Sequence, residues 1–416
     1  KDPAHPDQDG AEPDVSMMRP YIAKENTVTP SITFTSILGN HTLLGGLQGY
    51  FTRLRETGLY VISAEDEKTS PYYGVPYTSI GKKHANEVGF FVQDEWNVTP
   101  KLTVVPGIRV DSHSSGEEYA TSVKVSDSTF PTTKFSKTTV NPRIAIKYEL
   151  TPSLVLRANV GTGFRAPYGF SEDLHLCSGS PRVWKSSNLK GERAISYNLS
   201  ADYYAKKYQF SINIFRTNLK DKIQFSPADD EVKKFGYSYQ WENVDDAYVQ
   251  GVELGAKANL FRNFNAGINW TLNQGKFKHE RADWSDPNDE TVKEFPQRLQ
   301  YAKDSRNISR FPAMTGDIDL DYTPGTWTFS LTSSLQGRMF IDYNSEDDGA
   351  TSKIKKTNTF MIFNCRAAKR FGTCTVYAGA KNIFSYIQDE KHTDDAAFMY
   401  APVYGATWYV GLSVKL

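Results

Sequence analysis

Residues 195–203 read Ile195-Ser196-Tyr197-Asn198-Leu199-Ser200-Ala201-Asp202-Tyr203, and a tight turn, Ala205-Lys206-Lys207, follows. Successive side chains of an extended strand point to opposite faces. Ile195, Tyr197, Leu199, Ala201 and Tyr203 therefore share one face, and Ser196, Asn198, Ser200 and Asp202 the other. In 264–273, Phe264, Ala266, Ile268, Trp270 and Leu272 oppose Asn265, Gly267, Asn269, Thr271 and Asn273. At the end of the chain, Ala406, Trp408, Val410, Leu412, Val414 and Leu416 oppose Thr407, Tyr409, Gly411, Ser413 and Lys415. The polar sets suit a wet or polar-filled lumen better than a protein core.

The same unit repeats from about residue 28 onward: an alternating strand, a tight turn, another strand, a long polar loop. The tight turns are Leu38-Gly39-Asn40, Thr99-Pro100-Lys101, Thr151-Pro152-Ser153, Ala205-Lys206-Lys207, Arg262-Asn263, Thr323-Pro324-Gly325 and Arg370-Phe371-Gly372. They place Gly, Asn and Pro where turn dihedrals need them. Short turns on one side and long loops on the other describe an antiparallel transmembrane β-barrel. Strands are expected at about 28–37, 41–54, 86–97, 102–112, 139–149, 154–163, 194–205, 208–220, 248–260, 264–277, 312–323, 326–338, 357–369, 373–383 and 405–416. Trp96, Tyr148, Tyr203, Tyr204, Phe261, Tyr322, Trp327 and Phe371 all fall beside tight turns, which reads as an interfacial girdle.

Composition agrees. The 416 residues are 39% hydrophobic and 13% aromatic, with mean hydropathy −0.52. A helical membrane protein could not be so polar, whereas a barrel shows lipid only alternate residues. No apolar run reaches the length of a membrane helix. Formal net charge is zero, which excludes an electrostatic nucleic-acid binder. Three cysteines exclude a disulfide scaffold: Cys177 falls in a long loop, and Cys365 and Cys374 flank one turn, either bonded or as two thiols. No secretory leader is visible at the start, so the chain is expected to begin downstream of one.

The strand count is about fifteen, and single-chain bacterial barrels have an even number. Residues 1–27, rich in Asp, Pro and Glu, read as part of an extracellular loop, and 28–416 as the C-terminal strands and loops of one barrel domain. Further N-terminal strands are expected on a separate or missing segment.

Four stretches carry a resemblance. Gly163-Phe164-Arg165-Ala166-Pro167 resembles the Phe-Arg-Ala-Pro motif of TonB-dependent outer-membrane receptors. Asn188-Leu189-Lys190-Gly191-Glu192 is similar to their Asn-Leu-Lys-Pro-Glu, with Gly191 in place of Pro. Gly251-Val252-Glu253 resembles their Gly-Val/Ile-Glu strand, and Lys381-Asn382-Ile383-Phe384 their near-terminal Asn-Leu-Phe. The resemblance covers nearly the whole chain. Family members often end on an aromatic residue, where this chain has Leu416. The resemblance implies a barrel of about 22 strands filled by a plug domain, in the outer membrane of a Gram-negative bacterium. TonB would act at its periplasmic face, outer-membrane lipid would surround it, and a surface lipoprotein is a further expected partner. It implies uptake of a scarce large nutrient, an iron chelate or heme, with cobalamin as the alternative. No resident cofactor is expected. A passive porin is the rival reading. A soluble β-propeller is set aside because no four-strand repeat appears.

No nucleophile set, phosphate loop or Cys/His metal spacing marks an enzyme. Substrate contact is expected in the loop 164–193, from Arg165, His175, Arg182 and Trp184. His175 resembles in position the histidine that ligates iron in heme receptors of the family, and neutral imidazole suits that role. Acidic stretches at 229–231, 283–290 and 346–349 lack a calcium-loop pattern and read as solvated. Aromatic residues in 72–77, 237–241 and 398–404 could grip a ligand or cover the loops against one another. Arg109, Arg143, Lys147, Arg157, Lys257 and Glu253 are expected on the lumen face, either bridging to a plug or forming a wet wall of mixed charge.

Overall fold

The computed structural model describes residues 21–60, 77–122, 133–167, 183–185, 189–227, 239–279, 306–343, 353–388 and 400–415. Among these residues there is no helix. Nineteen strands run in chain order: β1 Tyr21–Val28, β2 Ser31–Leu38, β3 His41–Tyr60, β4 Tyr77–Thr99, β5 Leu102–Thr121, β6 Thr133–Thr151, β7 Leu154–Arg165, β8 Val183–Lys185, β9 Glu192–Tyr204, β10 Tyr208–Pro227, β11 Tyr239–Phe261, β12 Phe264–Phe277, β13 Met314–Tyr322, β14 Trp327–Gln336, β15 Phe340–Tyr343, β16 Lys353–Lys356, β17 Phe360–Phe371, β18 Cys374–Lys381 and β19 Thr407–Val414.

Each wall strand pairs antiparallel with the next, from β3–β4 through β7–β9 to β18–β19. β1 and β2 pair with successive halves of β3, residues 51–58 and 41–48. They form one wall strand broken at Pro30, which has no N–H for the ladder; its carbonyl instead accepts the N–H of Gly49 at 2.8 Å. Setting aside β8 and the separate β15–β16 hairpin, and joining β1 to β2, leaves the expected fifteen wall strands. Among the described residues the residue-by-residue register of β19 is with β18, and that of β1 and β2 with β3. One expectation is corrected. Residues 21–27, assigned to a loop, are strand, because β1 continues the β3 hairpin above its apolar part.

The turns take the geometry their residues permit. Gly39, Gly325 and Gly372 have φ of 62°, 62° and 61°, and Asn263 has 65°. Side-chain placement inverts that of a soluble protein. Leu199, Ile214, Leu272 and Val410 are 59%, 51%, 49% and 80% exposed, while Glu56, Glu117 and Thr52 are buried. Only hydrocarbon outside the wall makes such a surface stable. All eight girdle aromatics are exposed beside the tight turns, with ring neighbours such as Phe261–Phe264 at 4.7 Å and Trp327–Phe329 at 5.6 Å.

Leu199 sits midway along the apolar stripe of β9, so Leu199→Arg should lower barrel stability by about 2–4 kcal/mol. Asn198→Arg, on the other face, should cost far less. Denaturant titration in lipid bilayers measures both, and equal losses would contradict the assigned faces.

Candidate functional site

The long-loop end of the wall carries two linked constructions. The first joins two of the recognised motifs. β7 leaves β6 after Gly161 but stays paired with β9 up to Arg165–Glu192. The Phe164 ring then packs on His113 and Phe135, at centroid distances of 5.0 and 6.2 Å, with the Lys137 ammonium 5.4 Å above it. Gly191 lies against that ring so closely that a Cβ would stand 2.0 Å from its Cζ. A residue with a side chain cannot fit here unless the ring moves, which explains glycine at this position.

Around this contact the segment 189–192 is fastened to β10 and β11. Leu189 is buried with Ile223, against Phe135 and Trp241. The Asn243 carboxamide brackets Lys190: its Oδ1 accepts the Lys190 N–H at 2.8 Å and its Nδ2 donates to the Lys190 carbonyl at 3.0 Å. That Nδ2 also reaches the carbonyl of Asp221 at 2.7 Å. Asp221 sits at φ 55° in a β10 bulge, and its N–H donates to Asp246 Oδ1 at 3.1 Å. Glu192 is buried; its Oε2 accepts the Ile223 N–H at 3.0 Å and lies 3.4 Å from Arg165 Nη1. The motif residues Phe164, Arg165, Leu189 and Glu192 thus close one knot, which anchors both ends of the intervening loop.

The second construction is the inner wall below the knot. Arg109 donates to Gln48 Oε1 and Asp111 Oδ1, each at 2.7 Å, and lies 3.5 Å from Glu87. His113 bridges Glu87 (Nδ1, 3.2 Å) and Thr139 (Nε2, 3.3 Å). Asn141 Nδ2 links Asp111 and Thr139, both at 3.4 Å. Lys83 and Glu56 form a buried pair at 2.9 Å. The Ser115 hydroxyl meets the carbonyl of Pro167 at 3.5 Å, joining wall to knot. Buried charges survive only when paired and hydrogen-bonded.

The expected lumen residues do face this side. Arg143 bonds Gln93, Lys147 meets Glu149 at 2.7 Å, Arg157 pairs with Asp202, and Glu253 accepts from Asn213 at 2.8 Å. These charges find partners within the wall. Gly251 carries the Phe215 ring across its face, where a Cβ would lie 2.3 Å from the Leu272 carbonyl. Asn382, at φ 50°, stitches the last outer loop: its Nδ2 donates to the carbonyls of Tyr386 (2.7 Å) and Tyr404 (3.2 Å), and its Oδ1 accepts the Tyr386 N–H (2.9 Å).

Of the expected substrate residues, only Arg165 is placed with its side chain, in the knot. His175, Arg182 and Asn188 lie outside the described residues, as do the three acidic stretches and Cys177. For Trp184 the backbone alone is described: β8 runs parallel to β11, with Trp184 opposite Gln240. Cys365 and Cys374 are free thiols. Glu87, Asp111, His113, Asn243 and the Glu56–Lys83 pair escaped the sequence reading, although the charged alternation Arg109, Asp111, His113, Glu117 carried their signal.

The family model "TonB dependent receptor-like, beta-barrel" matches residues 6–383. The chain belongs to this family. The family is made up of transport receptors of the Gram-negative outer membrane, not of enzymes, and this chain is part of such an outer-membrane barrel; membership sets aside the porin reading. The ferric enterobactin receptor PirA of Pseudomonas aeruginosa is 21% identical over 357 residues, 80% of this chain and 42% of that protein. The vitamin B12 transporter BtuB of Photobacterium profundum is 33% identical over 116 residues, 27% of this chain and 17% of that protein. The solved copper transporter OprC superposes with a TM-score of 0.68 at 19% identity, covering 96% of this chain and 58% of that one, and shares the fold. The chain therefore spans less than two thirds of the length of these relatives.

Removing the Glu192 carboxylate leaves a buried N–H unpaired, worth about 1–3 kcal/mol. Glu192→Ala should speed amide exchange at Ile223 and proteolysis between Arg165 and residue 192. Unchanged exchange at Ile223 would show that the knot does not hold the loop.

Proposed function

We propose that this wall forms part of a receptor that captures a scarce iron chelate and imports it with energy delivered by TonB at the periplasmic face. The observation that carries the reading is the inner wall. Its charges are fixed in pairs around Arg109, His113 and Glu87, and the Phe164–Glu192 knot beside it fastens the two flanks, Arg165 and Glu192, of the segment between them. A wall of paired charges, with a chain segment fastened beside it at each end, suits tight, selective capture. PirA, which matches most of the chain, is by name a ferric enterobactin receptor, and this supports the iron-chelate class. The loop residues His175, Arg182 and Trp184, with Arg165 at its base, are the proposed ligand contacts. A plug domain, as the family carries, would share the inner wall with the ligand.

Cobalamin is the second reading, favoured by the BtuB match over 116 residues. The two part in one experiment. Cells that depend on this receptor are offered a radio-iron catecholate chelate or labelled cyanocobalamin, with and without the proton gradient. Gradient-dependent iron accumulation is expected. Cobalamin accumulation without iron would replace the substrate class, and iron entry indifferent to the gradient would contradict energised transport. A Soret band in the purified receptor that His175→Ala abolishes would instead make heme the ligand.

A further inference from the structure

The ladder between β6 and β7 stops at a proline. The Glu149 N–H donates to the Lys101 carbonyl at 2.8 Å. The odd-numbered backbone groups of β6 therefore turn to β5, and the even-numbered ones to β7. Arg143 opposite Gly161 is the last register pair between β6 and β7. The next even position is Pro142, which has no N–H to give. Its carbonyl accepts the Thr162 hydroxyl at 3.0 Å in place of a ladder bond. Beyond it β6 runs on, paired with β5 as far as Thr133 opposite Glu117. The N–H and carbonyl groups of Lys134, Ser136, Thr138 and Val140 thus point away from β5 into a seam. Among the described residues no strand or side chain pairs with them. All four residues are exposed.

What β7 does next keeps the seam open. From Thr162 to Arg165 it follows β9. The Phe164 ring turns to the inner face, onto His113 and Phe135. The Pro167 carbonyl then meets the Ser115 hydroxyl of β5. The chain leaves inward, and the outer side of the β6 edge stays clear. A cleft of about 870 Å³ runs there, with Thr138 and Val140 on one bank and Arg193, Lys220 and Lys278 on the other. The one carboxylate in its lining, Asp246, already accepts the Asp221 N–H.

An unpaired strand edge is a template for another chain. This edge alternates donors and acceptors at the strand repeat, which a polypeptide backbone reproduces. A lipid phosphate or a free anion would meet the N–H groups and leave the carbonyls unmet. From Lys134 to Val140 the edge is about 20 Å long, room for about seven extended residues. Cations on the far bank, with Lys134 on the edge itself, select for carboxylates. We infer that the upper outward edge of β6 is a docking site for an extended acidic segment of a partner protein. The segment adds to β6 as a strand, with its carboxylates turned to Arg193 and Lys220.

The test is residue-resolved amide exchange on the detergent-purified receptor, with and without the peptide Asp-Thr-Asp-Val-Asp-Thr-Asp. In the free receptor, Ser136, Thr138 and Val140 should exchange at least about tenfold faster than Lys137, Thr139 and Asn141, which β5 holds. The peptide should slow the first three at least about tenfold and leave the other three unchanged. The same peptide with every backbone amide N-methylated should protect none of them. Thr138→Pro removes an N–H that β5 does not use, so it should keep Lys137 and Thr139 slow while weakening peptide binding about tenfold. Seam amides already slow in the free receptor would overturn the open edge, and no protection by the acidic peptide would overturn the docking site. Equal protection by a peptide with Lys in place of Asp would contradict an acidic partner. Protection by lipid A micelles without peptide would make the edge a lipid site and overturn the inference.

Discussion

Hydrocarbon offers no partner to a backbone N–H or carbonyl, so every strand that crosses it must be satisfied by the strand beside it. The rest of this structure follows from that constraint. Pairing is sequential because the cheapest neighbour is the next strand around a tight turn. One face of each strand must then be apolar and the other can be polar, which fixes the register. Where the chain yields a ladder partner, as at Pro30, the break falls between two strands that still share β3.

Beyond the apolar band water returns and the constraint relaxes. There β7 separates from β6, β10 bulges at Asp221, and side chains replace ladder partners. Asn243 and Glu192 perform for the segment 189–192 what a neighbouring strand performs lower down. The knot thus gives physical content to two family motifs whose residues have no chemistry of their own. Phe164 and Gly191 fit one another, and Glu192 buries its charge only because Arg165 and a backbone N–H meet it.

Within the apolar band, alternation made the sequence legible: the strand order, all seven tight turns and the aromatic girdle were readable from spacing. Strand ends on the long-loop side were not. β4 begins at Tyr77, β6 at Thr133 and β11 at Tyr239, and β5 runs on to Thr121, each well past the expected limit. Above the band both faces are polar, so hydrophobic period two fades while the hydrogen-bonded ladder continues. The same fading hid Asp111, His113 and Glu117, which lie on the part of β5 beyond its apolar stretch. Arg109, Arg157 and Glu253 were placed correctly on the inner face, but partners such as Asp202 and Asn213 come from register, which alternation alone does not supply.

The central claim is that alternate residues of each wall strand face hydrocarbon and water. Its most direct test is a spin-label scan of β9 from Ile195 to Tyr203, in bilayers, with Cys177, Cys365 and Cys374 replaced by serine. The account predicts collision with oxygen at Ile195, Tyr197, Leu199, Ala201 and Tyr203, and with a water-soluble nickel chelate at Ser196, Asn198, Ser200 and Asp202. A flat profile, or labels at the apolar positions shielded from both reagents as in a dry protein interior, would contradict it.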